Sequence, residues 1–199
     1  MNSLNVIGQG YIGLPTALMF ASAGIPTVGS DNSVDVIEKL KSGNLPIKEK
    51  GLEDLYKKAL EKNIRFSTEY IETDTYIIAV PTPFDKNTYK LDVSYVLSAL
   101  EGILDVCLND AVIIIESTIA PGTIDKYIRP VIEDRKLTRE KTIHIVHAPE
   151  RIIPGNMVFE LINNSRTIGA DSHEVGRRVA NLYSSFCKGE IHITDIRSA

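Results

Sequence analysis

Leu4-Asn5-Val6-Ile7-Gly8-Gln9-Gly10-Tyr11-Ile12-Gly13 is a short apolar run stopped by glycine and followed by a longer apolar segment reaching Gly24. That order reads as strand, glycine-rich turn, helix, the setting in which a GxGxxG pattern acquires physical meaning. Gly8 permits the tight turn, Gly10 lets backbone approach a pyrophosphate, and Gly13 lets helix and strand pack closely. The start of the helix, at Tyr11, Ile12 and Gly13, then offers unpaired N–H groups and the positive end of its dipole to an anion.

Moving outward, Thr27 to Asp31 reads as a second strand, and Ser33 to Lys41, apolar at Val34, Ile37 and Leu40, as an amphipathic helix. Asp31 lies 18 residues beyond Gly13 and ends that strand, where a carboxylate accepts hydrogen bonds from the adenosine ribose hydroxyls. A 2′-phosphate would meet Asp31 with Asp35 and Glu38 close behind and no Arg or Lys among residues 32–38. NAD is therefore the expected cofactor in preference to NADP. FAD-binding domains share the glycine pattern, so it does not define the chemistry.

Strands alternate with helices along the rest of the chain. Strands are read at 64–67, 76–80, 112–116, 142–147 and 190–194, and helices at 51–63, 92–106 (capped by Asp92 or Ser94), 123–134 and 174–186. Tyr89 and Lys90 read as a polar loop. The expected fold is a Rossmann-like, doubly wound, mostly parallel α/β sheet of at least six strands, with helices on both faces and residues 1–199 as one domain.

The chain has 199 residues, a formal charge of −4, no dense Lys/Arg block and two cysteines 80 positions apart. These features argue against a nucleic-acid or anionic-membrane partner, against a disulfide framework and against a zinc site, and no metal is expected. Without a leader-like segment or an apolar run of roughly 18 residues, the expected location is the cytoplasm. Cys107 and Cys187 are read as inert core thiols. His144 and His147, three apart in a strand, point to opposite faces and cannot chelate one ion. Arg135 to Lys141 reads as a solvated loop.

Ligands of a doubly wound sheet sit beyond the carboxyl ends of its strands. Val80-Pro81-Thr82-Pro83 and Glu116-Ser117-Thr118-Ile119-Ala120-Pro121-Gly122-Thr123 both fall there. The hydroxyls of Thr82, Ser117 and Thr118 can hold ribose or nicotinamide, or can simply cap turns. His147-Ala148-Pro149-Glu150-Arg151-Ile152-Ile153-Pro154-Gly155 follows a third strand. There Glu150 can position water and Arg151 engage phosphate, unless the two form a solvated ion pair.

The glycine fingerprint, Gly43 to Leu52, the VPTP and STIAPGT segments and the PERIIPG loop, in this order, resemble the N-terminal part of the UDP-glucose/GDP-mannose dehydrogenase family. The resemblance implies oxidation of the C6 alcohol of a nucleotide sugar to a carboxylate, with two NAD reduced. Within the family, PERIIPG is most similar to the enzymes of UDP-N-acetylmannosamine and other UDP-N-acetylhexosamines. UDP-glucose enzymes tend to carry a second glutamate where Pro154 stands here.

By the same match Glu150 is the catalytic acid, Tyr11, Ile12, Asp31, Thr82 and Thr118 contact NAD, with Val80, Pro81 and Ser117 beside them, and Arg151 and Ile152 contact the UDP-sugar. The family's catalytic Lys, Asn and Cys, its central helix and its UDP-binding domain would lie past Ala199. The expectation is thus a chain without turnover on its own, monomeric, from an enzyme that is a homodimer at full length. UDP-glucose or UDP-N-acetylglucosamine are the rival substrates. A hydroxyacid-type dehydrogenase would have no reason for the PERIIPG loop, and an NAD-sensing module is the non-enzymatic alternative.

Overall fold

Two close approaches and one open position explain why the glycine turn has its shape. Gly8 adopts φ +90°, and a Cβ there would lie 2.7 Å from the Ala79 carbonyl oxygen; one on Gly13 would lie 1.8 Å from the Gly8 oxygen; one on Gly10 would meet nothing within 4 Å. The computed structural model describes residues 3–62, 64–87, 89–135 and 141–199. In order, the elements are β1 (Leu4–Ile7), α1 (Gly13–Ser22), β2 (Thr27–Ser30), α2 (Val34–Lys41), α3 (Leu52–Glu61), β3 (Arg65–Ser67) and β4 (Thr75–Ile78). A two-stranded hairpin, β5 (Phe84–Asp85) and β6 (Lys90–Leu91), leads to α4 (Ser94–Val106) and β7 (Ala111–Ile115). A π-helical turn (Ile124–Ile128) runs into α5 (Arg129–Asp134), followed by β8 (Ile143–His147), α6 (Met157–Asn163), β9 (Arg166–Ala170), α7 (His173–Tyr183) and β10 (Ile191–Thr194).

Eight of these strands form one sheet in the order β10-β9-β8-β7-β4-β1-β2-β3. From β3 to β8 every neighbour is parallel, which is the doubly wound arrangement expected from the sequence. The strand order reverses beside β1, so a crevice opens between the chain leaving β1 and the chain leaving β4. Alternation along the strands sorts side chains to two layers. Val6, Ile77, Val112 and Ile114 join the core that carries α1, α2, α3, α6 and α7. Ile7, Ile78, Ile113 and Ile115 join the core under α4 and α5. All ten residues of α1 are buried, and Pro15 sits in its first turn, where the missing N–H costs no intrahelical bond.

The helix read as 123–134 is irregular for a reason visible in its sequence. Pro130 has no N–H, and its ring would strike the carbonyl four residues back. The preceding turn widens so that the Arg129 N–H reaches the Ile124 carbonyl, five residues earlier. Asp92, expected to cap α4, does so from two residues upstream, its Oδ1 accepting from the Ser94 N–H at 2.9 Å. Tyr89 and Lys90, read as a plain loop, belong to the turn and second strand of the hairpin.

Besides the hairpin strands β5 and β6, two elements escaped the pattern reading, α6 and β9. Residues 157–163 are a short helix, and Arg166-Thr167-Ile168-Gly169-Ala170 forms a strand antiparallel to β8, with Val146 opposite Ala170 and His147 opposite Gly169. Of the run Arg135 to Lys141, positions 136–140 lie outside the described residues; Lys141 Nζ donates to the Cys107 carbonyl at 2.6 Å. No helix among the described residues is long and apolar enough to cross a membrane.

Gly13→Ala should cost about 3 kcal/mol, because the new methyl must displace backbone at the most buried helix of the fold. In thermal melts of this chain that is a fall of about 6–12 °C, while Gly10→Ala, with open space at its Cβ, should stay within about 0.5 kcal/mol of the parent.

Candidate functional site

The crevice is built from the ends of β1, β2 and β4. Gly8, Asp31, Asn32, Tyr70, Val80, Pro81, Tyr95 and Ser98 line a cleft of about 200 Å³. Asp31 is held from two sides: Oδ2 accepts the Gln9 N–H at 2.8 Å and Oδ1 the Ser33 N–H at 2.9 Å. A carboxylate has about four acceptor sites, so two remain for hydroxyl donors. No side chain caps the N-terminus of α1, which leaves its first N–H groups to a ligand. Gly10 leaves open space beside it, where a Cβ would meet nothing within 4 Å, and the residues present fit a dinucleotide.

Across the crevice, the segments after β4 and β7 are pinned to each other. Thr82 Oγ1 donates to the Thr118 carbonyl at 2.7 Å, and Ser117, which is buried, donates to the Val80 carbonyl at 2.8 Å. In this arrangement the Thr82 and Ser117 hydroxyl protons brace the loops, and Thr118 presents an exposed side chain.

Tyr11 carries a contact that the sequence did not announce. Its hydroxyl donates to Glu49 Oε1 at 3.2 Å, and the same carboxylate accepts the Gly155 N–H at 2.9 and 3.0 Å. Glu49 therefore ties the glycine turn to the PERIIPG loop. Burial, with Glu49 adding to it, pushes the Tyr11 hydroxyl up to about 12. Glu160 holds the same loop through the Ile153 N–H at 3.0 Å.

Glu150 and Arg151 do not form a solvated ion pair. Glu150 is only 6% exposed at its side chain; its Oε1 accepts the Arg151 backbone N–H at 2.7 Å, and its Oε2 pairs with Arg166 Nη2. Arg151 is exposed, its Nη2 donating to the Ser165 carbonyl at 3.2 Å. The Ile152 side chain is buried in the layer that holds α1. Behind Glu150, Arg166 Nη1 donates to Glu116 Oε1 at 3.0 Å and Tyr183 OH to the same oxygen at 3.1 Å. The guanidinium lies over the Tyr183 ring, 4.3 Å from its centroid. Burial pushes the Glu116 carboxyl up, against the pull of Arg166, and raises the Tyr183 hydroxyl.

Glu116, Arg166 and Tyr183 were not singled out from the sequence. The signal lay in polarity out of place: an acid ending the all-apolar Ala111 to Ile115 run, and an arginine opening a short strand. Both cysteines are free and buried, and burial raises the Cys107 thiol. His144 Nε2 is 2.8 Å from Asp110 Oδ1. His147 is buried with its Nε2 unpartnered among the described residues, and burial lowers its imidazole against a hydrogen bond with the Ala199 backbone. Among the described residues no group of three metal-ligating side chains gathers.

Known proteins share this fold. Residues 2–187 match the family described as UDP-glucose/GDP-mannose dehydrogenase family, NAD binding domain. A UDP-N-acetyl-D-mannosamine dehydrogenase of Methanococcus maripaludis is 40% identical over 198 residues, 98% of this chain and 44% of the relative. Among solved structures, a UDP-N-acetyl-mannosamine dehydrogenase from Staphylococcus aureus superposes with a TM-score of 0.92 at 41% identity, covering 99% of this chain and 48% of that one. A UDP-D-ManNAc dehydrogenase from Pyrococcus horikoshii gives 0.89 at 36%, covering 99% and 48%. The chain spans about half the length of the curated relatives it matches. With fold, cleft and family match in agreement, the chain belongs to the UDP-glucose/GDP-mannose dehydrogenase family, as an NAD binding domain of it.

Proposed function

We propose that this chain holds NAD for an enzyme that oxidises the C6 alcohol of UDP-N-acetyl-D-mannosamine to the uronic acid, a precursor for surface polysaccharide. The observation that carries the reading is the open cradle at Gly10 beside an Asp31 carboxylate oriented by two backbone N–H groups. The choice of sugar is supported by the named relatives at about 40% identity and by Pro154 following Glu150 in the PERIIPG loop.

In this reading Gly8, Gly10, Tyr11, Ile12 and Gly13 receive the pyrophosphate and Asp31 the adenosine ribose. Asn32, Tyr70 and Tyr95 bound the adenine side of the cleft. Val80, Pro81, Thr82, Ser117 and Thr118 shape the nicotinamide side, with Ser117 and Thr82 acting through the loops they brace. NAD, when bound, supplies the hydride acceptor. Glu150 accepts and returns the proton, Arg151 binds the UDP-sugar, and Ile152, its side chain buried, contributes through its backbone. Turnover needs the remainder of the longer, homodimeric enzyme. A cytoplasmic setting suits a chain with two free thiols and a nucleotide cofactor.

Calorimetric titration of this chain with NAD should give a saturable isotherm, with NADP at least about tenfold weaker because its 2′-phosphate meets Asp31. Asp31→Arg should lose NAD by reversing the charge at the ribose, and Gly10→Val by filling the cradle. Unchanged NAD isotherms in both variants would overturn the site. In the longer enzyme, turnover should favour UDP-N-acetyl-D-mannosamine over UDP-glucose; equal turnover of the two sugars, or preference for UDP-glucose, would overturn the substrate assignment.

A further inference from the structure

A buried guanidinium with one counterion keeps that counterion ionised, because protonating it would strand a cation in a medium of low polarisability. Arg166 has two counterions. Its side chain is 4% exposed, Glu116 is 0% and Glu150 6%. With both carboxylates ionised the triad would carry a net charge of −1 away from water; with one proton added it is neutral. We propose that Glu116 and Glu150 share a single proton across Arg166, so that the state of Glu116 decides when Glu150 is free to accept one.

The geometry gives each group a distinct part. Glu116 Oε1 is saturated by two donors, Arg166 Nη1 and Tyr183 OH. Its Oε2 is buried, as is the hydroxyl of Thr16 on α1, which lies close enough to donate to the Glu116 carboxyl. Burial favours the neutral form of Glu116, while Arg166 and the Thr16 hydroxyl favour the ionised one, which leaves the two forms in competition. Glu150 comes from a loop, one residue from exposed Arg151, and is the member placed to exchange with a ligand.

The charged and titratable groups facing the pair are Arg166 from β9 and Tyr183 from α7, with Thr16 from α1 as the uncharged neighbour. Glu116 and Arg166 are positioning residues, acting on substrate only through Glu150. The inference rests on the reading of Glu150 as the acid–base group. Each alcohol oxidation releases one proton: with Glu116 ionised and paired to Arg166, Glu150 can take it up and the triad passes from −1 to neutral, whereas with Glu116 protonated Glu150 is the sole counterion of Arg166 and stays ionised.

The test is a pH titration of glutamate side-chain carboxyl carbons by NMR on this 199-residue chain, with resonances assigned by their loss in Glu116→Gln and Glu150→Gln. In the parent chain both carboxyls should follow the same two steps, one above the ordinary glutamate range. In Glu116→Gln the upper step should vanish. Tyr183→Phe removes a donor to ionised Glu116 and should move the upper step higher, which keeps the proposal testable if Glu116→Gln does not fold. A single ordinary step for Glu150, the same in parent and Glu116→Gln, or an upper step that Tyr183→Phe leaves in place, overturns proton sharing even if NAD binds. Loss of NAD binding with both steps intact overturns the cofactor reading alone.

Discussion

The contact between the missing Cβ of Gly13 and the carbonyl of Gly8 is the constraint on which the rest of this molecule hangs. Because α1 can approach β1 that closely, it sits wholly inside the structure, with the sheet on one side and α3 and α6 packed around it. The same approach aims the uncapped start of α1 at the crevice where the strand order reverses. A ligand site and a packing solution are therefore one feature, and a single methyl group at position 13 would disturb both.

From that anchor the site extends by polar ties rather than by apolar packing. Gln9 orients Asp31, Glu49 joins Tyr11 to Gly155, and Thr82 and Ser117 clamp two loops together. Each tie engages a backbone N–H or carbonyl that a loop would otherwise leave to solvent. Loops held this way can present ligand-facing groups with the precision of the strands they follow. The Glu49 tie also places the glycine turn and the PERIIPG loop in one connected body.

The reversal at β9 has the largest chemical consequence. Had this strand continued the parallel pattern, Arg166 at its start would lie at the opposite edge of the sheet. Running antiparallel to β8, it delivers the guanidinium to the edge where Glu116 and Glu150 emerge. A buried cation there allows two acids to share one pocket that neither could occupy ionised alone.

The amino-acid sequence by itself determined the doubly wound sheet, the glycine turn and the preference implied by Asp31, because these depend on short-range periodicity and on residues within one βαβ unit. It also carried the cause of the π turn, Pro130, two residues past its end. Only the tertiary structure decided the partners of Glu150, the span of Glu49 and the direction of β9. Glu116 and Arg166 are 50 positions apart and Glu49 and Gly155 are 106 apart. Such pairings are set by strand order and loop closure, and no local pattern records which charge will be buried against which.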